Sequence, residues 1–200
     1  MKTSDLSEFI NMGKKIIEIS PGEYSFSKNP NEVLYTTGLV SCVGLALIED
    51  INNERKRGLA HVYWGGNKEV NDPKQRLMLP KSEIERVDGF LKEFIGNFKG
   101  KNFEEIKEFG EFYSVMVFNR PLHGNTNYNE NPLATYVMDW LLGHKANLKM
   151  SEGINIWEKQ TIDSKGMALR HDKLAILYKN TLGKIINYGN TDTNLSDFPL

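Results

Sequence analysis

The 200-residue sequence contains a single cysteine, Cys42, and this scarcity narrows its chemistry. One thiol cannot form a disulfide within the chain, and it also excludes two-cysteine redox chemistry and metal sites built from several thiolates. Two interpretations of Cys42 then remain open. It is either a small buried apolar residue or a reactive nucleophile.

The sequence also lacks an excess of charge and a long apolar run. Its 25 basic and 26 acidic residues give a net charge of −1, so nucleic acid and anionic membranes are not expected partners. No segment approaches the ~20 apolar residues that span a bilayer. Residues 1–15 carry acids within their apolar pattern and lack a signal-peptide core. We expect a cytoplasmic protein, or one secreted by a specialised system, without membrane insertion and with its oligomeric state open.

Cofactor motifs are absent as well. The sequence has no phosphate-binding loop and no dinucleotide fingerprint. His144 and His171 show no ligand spacing with Cys42 or with each other, so a zinc site is not expected. We therefore expect neither a metal nor an organic cofactor.

The composition is that of an ordinary folded domain, with 40% hydrophobic and 26% charged residues. The length predicts a single domain over residues 1–200, with a helix within residues 1–15 and a loose tail over 191–200. Strands are predicted over 16–19, 24–26, 33–37, 43–48, 58–64, 112–118, 154–162, 174–178 and 184–188. Residues 50–57 are polar and predict a loop, and segments 154–162 and 174–178 predict a late hairpin or meander.

Two helices are predicted in the second half of the chain. Ser82 to Glu85 has the sequence of a capping box, and apolar residues follow it at helical spacing until Gly100. Asn131-Pro132 predicts the start of a second helix and Gly143 its end. Together these elements predict an α+β fold with a mostly antiparallel sheet and two main helices.

The strand pattern predicts that Cys42 and His61 meet. If the loop between their strands centres on Asn52-Asn53, antiparallel pairing places His61 opposite Gly44. Cys42 lies on the same face as Gly44, so it becomes the diagonal neighbour of His61. A register slip of one residue would place the two groups on opposite faces.

This pair has the residue types of a thiol catalyst. An adjacent histidine stabilises a thiolate, and the run from Gly38 to Ser41 together with the N–H of Cys42 is suited to bind an oxyanion. The hydroxyl of Thr36 is a candidate for orienting the imidazole. Residue types and spacing alone leave a structural cysteine and a structural histidine open as the alternative.

Two further residues are candidates for substrate contact. Trp64 follows His61 and is placed to line the rim of a pocket, although tryptophan at a strand end also suits core packing. His123 lies in a turn with Pro121 and Gly124 and is a candidate for a substrate loop. An ordinary surface turn is the alternative for His123.

Residues 21–63 resemble the chemoreceptor glutamine deamidases of bacterial chemotaxis, the CheD family. The matching residues are Gly22-Glu23, Thr36-Thr37-Gly38-Leu39-Val40-Ser41-Cys42-Val43 and Gly58-Leu59-Ala60-His61-Val62. The same Cys-His core is found in the cytotoxic necrotizing factors and in Burkholderia lethal factor. The resemblance implies a β-sandwich flanked by helices, with Cys42 as nucleophile, His61 as general base and acid, and Thr36 positioning His61.

The resemblance implies a protein-glutamine deamidase, a hydrolase that converts a glutamine of a substrate protein to glutamate through a thioester. Oxyanion or substrate contacts are expected from Ser41, Val40, Gly38, Trp64 and His123. Val40 replaces a family glycine, and the family's usual ending is not matched beyond residue 66. The expected role is therefore either a toxin or effector that acts on a host protein, or a divergent chemotaxis deamidase. A non-catalytic binding module and another thiol hydrolase, a protease or amidase, remain alternatives.

Overall fold

The described part of the chain forms ten strands in two sheets and two long α-helices. It is seen in a computed structural model that describes residue 9 and residues 14–52, 54–64, 79–106, 113–120, 131–144, 154–160, 165–178 and 181–187. In chain order the elements are β1 (Lys15–Glu18), β2 (Tyr24–Ser27), β3 (Glu32–Leu39), β4 (Val43–Ile51), β5 (Glu54–Val62), α1 (Lys81–Lys99), a 3₁₀ turn (Phe103–Glu105), β6 (Tyr113–Arg120), α2 (Pro132–His144), β7 (Ile154–Gln160), β8 (Lys165–Leu169), β9 (Lys173–Tyr178) and β10 (Thr181–Asn187).

The strands form two five-stranded sheets. Sheet A has the order β1-β3-β8-β9-β10, and sheet B has the order β2-β5-β4-β6-β7. Pairing is antiparallel except between β1 and β3 and between β6 and β7. The predicted α+β class with two main helices and mostly antiparallel strands is confirmed.

The side chains of β4 show how the layers are arranged. Val43, Leu45 and Leu47 belong to a buried cluster that includes the apolar faces of α1 and α2. Ala46 and Ile48 belong to a second cluster that contains residues of both sheets. The sheets therefore pack face to face, and the helices cover the outer face of sheet B. Burial on both faces explains the continuous apolar sequence of β4.

The predicted loop over residues 50–57 is wrong, because most of it is strand. β4 continues to Ile51 and β5 begins at Glu54, so only a tight turn containing Asn52 separates them. Asn52 has a φ of +52°, a conformation that asparagine tolerates better than most residues. Asp50 pairs across the hairpin with Arg55, and their side chains form an ion pair of 2.6 Å. Cross-strand charge pairing lets a polar sequence form strand here.

The predicted capping box of the first helix is also wrong. α1 begins at Lys81, with Pro80 at the N-cap and no side-chain capping bond. The carbonyl of Pro80 accepts hydrogen bonds from the N–H groups of Glu83 and Ile84 at 2.9 and 3.0 Å. Because the helix starts before Ser82, that residue lies inside the first turn. The predicted end is confirmed, since Gly100 caps α1 with a φ of +68°.

The second helix begins as predicted but does not end at Gly143. Pro132 opens α2, and the side-chain Oδ1 of Asn131 accepts the N–H of Ala134 at 3.0 Å. α2 continues to His144. Gly143 lies within the last turn, where glycine costs helix stability without ending the helix.

The predicted late hairpin or meander is wrong for residues 154–162, whereas residues 174–178 do lie in an antiparallel meander, β8-β9-β10. β7 pairs in parallel with β6 in sheet B. β9 pairs instead with β8, a strand that was not predicted. The sequence of β8 starts with Lys165-Gly166 and so lacks the apolar alternation of a strand, although all five of its residues are buried. Burial between neighbouring strands overrides weak local preference.

The predicted helix over residues 4–14 lies outside the described residues except for Phe9 and Lys14. Phe9 is helical and packs in a cluster with Val33 and Ala168 of sheet A. The predicted tail over residues 191–200 lies outside the described residues. Within the described ranges, no helix is long and apolar enough to cross a membrane.

Candidate active site

The hairpin of β4 and β5 has the register that the sequence predicts. His61 pairs with Gly44, and Ile51 pairs with Glu54 at the turn. His61 shares its face of β5 with Leu59, which belongs to the cluster between the two sheets. Cys42 belongs to that same cluster. Cys42, in the bend immediately before β4, and His61 of β5 therefore face the same space between sheets A and B.

The space above Gly44 is filled by side chains from sheet A. A Cβ at Gly44 would lie within 3.0 Å of Met167 Sδ and at 2.8 Å from Leu39 Cδ1. Met167 is fully buried on β8, and Leu39 is fully buried at the end of β3. A larger residue at position 44 would therefore force the Met167 or Leu39 side chain to shift. Met167 and Leu39 bound the site on the sheet A side.

Thr36 holds the imidazole of His61 from the opposite sheet. Thr36 Oγ1 lies 2.8 Å from His61 Nδ1, and its hydroxyl donates to the carbonyl of Ile19 at 2.8 Å. A hydroxyl has only one proton, and here that proton is used by Ile19. Nδ1 must therefore carry the hydrogen in its bond to Thr36. The neutral ring consequently keeps its lone pair on Nε2.

Burial keeps His61 neutral. The residue is fully buried, and this lowers its pKa to about 4, with the Ile19 carbonyl acting weakly in the opposite direction. Nε2 is buried and has no hydrogen-bond partner within the described part of the chain. Because a buried unpaired nitrogen is costly, such an atom calls for an explanation. At neutral pH it is a proton acceptor with which no group of the described residues is bonded.

Cys42 is also neutral at rest. It is only 5% exposed, and burial raises the pKa of its thiol. The Trp64 backbone, the Ser41 hydroxyl and the charge of Arg86 act in the opposite direction. Sγ makes no hydrogen bond to His61 Nε2. The expected thiolate stabilised by an adjacent histidine is therefore absent from the resting site, because a neutral imidazole supplies no positive charge.

One of the candidate oxyanion donors is already hydrogen-bonded within the turn before Cys42. Gly38 has a φ of +76°, which only glycine adopts without strain. The N–H of Val40 donates to the Gly38 carbonyl at 2.8 Å, so this amide is used within the turn. The side chain of Val40 is 54% exposed, so it forms part of the surface of the turn. Ser41 is also exposed and lies next to the thiol.

Ser41 and Trp64 connect the two strand ends. Ser41 Oγ donates to the Trp64 carbonyl at 3.4 Å. The Trp64 ring is buried among the helix-side residues of sheet B, whereas Cys42 lies in the cluster between the sheets. The core interpretation therefore fits the Trp64 ring, and only its backbone is near the thiol. His123 lies outside the described residues.

Arg86 is a residue of the site that sequence reasoning missed. It lies in the first part of α1, and its Nη2 donates to the Tyr63 carbonyl and to Glu83 Oε2, the latter at 2.8 Å. Its guanidinium also lies 6.0 Å from the centre of the Tyr63 ring. In the sequence, the spacing of Glu83 and Arg86 indicates only an ion pair within the helix. Nothing in that spacing indicates that Arg86 contacts the segment following His61.

Lys165 is a second missed residue at this end of the sheets. Its side chain is buried, and Nζ donates to the Phe118 carbonyl at 2.7 Å. Phe118 pairs with Val43, next to Cys42, while Lys165 pairs with Leu39. Lys165 thus joins sheet A to sheet B close to the turn that carries the thiol.

A cavity of about 520 Å³ lies at the other end of the β4–β5 hairpin. Its lining includes Glu49, Lys56 and Lys99. Lys99 forms an ion pair with Glu49, and Lys56 donates to the Phe98 carbonyl near the end of α1. These contacts neutralise the buried carboxylate and cap the helix. Lys28 and Glu54, which also line the cavity, form an ion pair of 2.9 Å, and Lys101 is a further lining cation.

No protein-family model matches this sequence, and a comparison with curated protein sequences gives no significant match. Function is therefore inferred from the geometry of the site.

Proposed function

We propose that this chain is a protein-glutamine deamidase with a CheD-like and cytotoxic necrotizing factor-like fold. In this proposal Cys42 is the nucleophile, His61 the general base and acid, and Thr36 the residue that fixes the imidazole. The observation that supports this proposal most directly is the tautomer of His61. Its Nδ1–H is held by Thr36, and its unpartnered Nε2 is buried between the same two sheets as Cys42.

The architecture supports the proposal at a coarser level. Two mostly antiparallel sheets pack face to face, and α1 and α2 cover one outer face. This arrangement is compatible with a β-sandwich flanked by helices. Because one fold supports many functions, the argument for chemistry depends on the site residues.

The first step is a general-base attack. Cys42 Sγ attacks the side-chain amide carbon of a substrate glutamine while Nε2 of His61 takes the thiol proton. A neutral thiol and a neutral imidazole suit this order, because the proton moves only as the new C–S bond forms. The developing oxyanion would accept a hydrogen bond from the Cys42 N–H, whereas the Ser41 hydroxyl proton is used by the Trp64 carbonyl.

The second step releases ammonia and then glutamate. The imidazolium of His61 returns its proton to the amide nitrogen, the C–N bond breaks, and a thioester to Cys42 remains. His61 then takes a proton from water, the hydroxide attacks the thioester carbon, and the C–S bond breaks to give the glutamate carboxyl group and the Cys42 thiolate. The proton on His61 restores the thiol. An amine in place of water would give transglutamination.

Access to the thiol requires a movement of the turn. Cys42 is 5% exposed, whereas its neighbours Val40 and Ser41 are exposed. A glutamine side chain is long and narrow, so it needs only a small opening beside these residues. Substrate binding at the turn is the step that would open it, as hydrogen bonds in a catalytic site often form fully only in the complex.

A non-catalytic binding module is the second candidate function. The observation in its favour is the absence of a hydrogen bond between Sγ and Nε2, together with the thiol pKa being raised by burial. In that case Cys42 would be a buried apolar residue and His61 an interior residue held by Thr36. In the deamidase proposal, the surface around the turn would select the target protein. That target is a host protein if the chain is a toxin or effector, and a chemoreceptor if it is a chemotaxis enzyme.

A glutamine-shaped electrophile separates the two candidates. Peptides with a diazoketone in place of the glutamine amide react with a thiol that has a base beside it. We expect Cys42-specific labelling of the wild type that falls by about 10²-fold in His61→Asn, the usual contribution of a general base. Iodoacetamide, which does not resemble glutamine, is the control reagent. Equal labelling of wild type and His61→Asn by both reagents would support the binding module.

A further inference from the structure

We propose that Arg86 is a positioning residue for the Cys42 nucleophile. From α1 it holds the segment that follows His61, and that segment is hydrogen-bonded to the turn that carries the thiol. The proposal rests on the proposed role of Cys42, but the ionisation of the thiol is measurable whether or not the protein deamidates a substrate.

The guanidinium of Arg86 is held in place on two sides. Nε and Nη2 donate to Glu83 Oε2 at 3.1 and 2.8 Å, and Nη2 also donates to the Tyr63 carbonyl. The Arg86 side chain is 40% exposed and that of Glu83 30% exposed. A planar guanidinium with two fixed partners loses little further freedom when it acts on a third group.

A short series of contacts leads from Arg86 to the thiol. Tyr63, whose carbonyl Arg86 binds, immediately precedes Trp64. The Trp64 carbonyl accepts a hydrogen bond from Ser41, and Ser41 precedes Cys42 in the turn. The Trp64 ring packs in the same cluster as Val87 and Leu91 of α1, which anchors this segment a second time. Arg86 therefore couples the helix to the turn that carries the thiol.

Arg86 also supplies charge where His61 does not. Its positive charge lowers the pKa of the Cys42 thiol, against the larger effect of burial. His61 on β5 is neutral because burial lowers its pKa to about 4. Other ionisable groups on the elements around the turn are Glu83 on α1, the Tyr63 phenol next to the guanidinium, and the Lys165 ammonium at the Phe118 carbonyl. Among the described residues, Arg86 is the cation whose charge lowers the pKa of the Cys42 thiol.

The test measures thiolate formation from its ultraviolet absorbance as a function of pH. Cys42 is the only cysteine, so the difference between each protein and its Cys42→Ser version reports this thiol alone. We expect Arg86→Met to move the titration to higher pH and to reduce the thiolate fraction at neutral pH by about two- to fivefold, the range for a half-exposed charge pair. Arg86→Lys, which keeps the charge, should restore most of the wild-type titration.

Lys92→Met is the matched control, because Lys92 is another half-exposed cation of α1 with its own partner, Asp88. It should leave the titration unchanged. The wild type provides a second measurement that needs no substitution at Arg86. Raising the ionic strength should shift its titration upward, since a half-exposed charge is screened. An Arg86→Met titration equal to that of Lys92→Met would overturn the proposal. If Arg86→Met shifts the thiol titration but the wild type shows no glutamine-directed labelling of Cys42, the proposed function is overturned and the role of Arg86 is not.

Discussion

The contact between Thr36 and His61 yields the sharpest prediction about the site. Thr36→Val keeps the shape of the side chain but removes the hydroxyl that bonds His61 Nδ1 and the Ile19 carbonyl, both at 2.8 Å. Thr36 and His61 are fully buried, so both groups lose their partner without access to water. Each unsatisfied buried group costs roughly 1–3 kcal/mol, so the free energy of unfolding should fall by about 2–6 kcal/mol for the two groups together.

The substitution should also change the tautomer of His61. Without an acceptor at Nδ1, the ring no longer favours the form with a free Nε2, and glutamine-directed labelling of Cys42 should fall by about 10²-fold. Thr36→Ser is the matched control because it keeps the hydroxyl and removes only a methyl group. Urea unfolding gives the stability, and nitrogen NMR of the four histidines gives the tautomer. Equal stability of Thr36→Val and Thr36→Ser, with the Nδ1–H form of His61 unchanged in both, would refute this reasoning.

Two other predictions concern the interior around the site. The pKa of His61 is about 4 in the folded protein, below the ordinary 6.5, so the unfolded state binds more protons between these values. Stability should therefore fall as the pH drops from 6.5 towards 4, by up to about 3 kcal/mol, and His61→Gln should remove that part of the pH dependence in urea titrations. Gly44→Ala should cost about 1–3 kcal/mol because its Cβ would collide with Met167 and Leu39. Met167→Ala in the same chain should recover part of that loss, and purely additive effects in a double-mutant cycle would count against the contact.

The register of the β4–β5 hairpin was predictable because its signals are local. A tight turn at Asn52 and apolar runs on both sides leave few alternative pairings, and the structure pairs His61 with Gly44 as expected. The charged residues next to the turn led to the wrong prediction of a loop over residues 50–57, because their side chains find partners only on the opposite strand. Asp50 and Arg55 satisfy each other only once the hairpin has formed.

The surroundings of the thiol were not predictable in the same way. Met167 fills the space above Gly44 from a strand more than a hundred residues later, and Arg86 binds the Tyr63 carbonyl from a helix whose local sequence indicates only an ion pair. The same limit applies to the protonation states. Sequence spacing suggested a histidine that stabilises a thiolate, whereas burial of His61 and Cys42 leaves both neutral. Burial depends on packing between elements that are distant in the sequence.

The central claim is that Cys42 attacks the amide carbon of a glutamine in another protein. The most direct test is peptide mass analysis of bacterial and host cell extracts incubated with the wild type or with Cys42→Ser. The account predicts glutamine-to-glutamate conversion at specific sites with the wild type and none with Cys42→Ser, without any cleavage of the chains. Cys42-dependent cleavage of peptide bonds would instead identify a protease, and extracts unchanged by the wild type would contradict the deamidase.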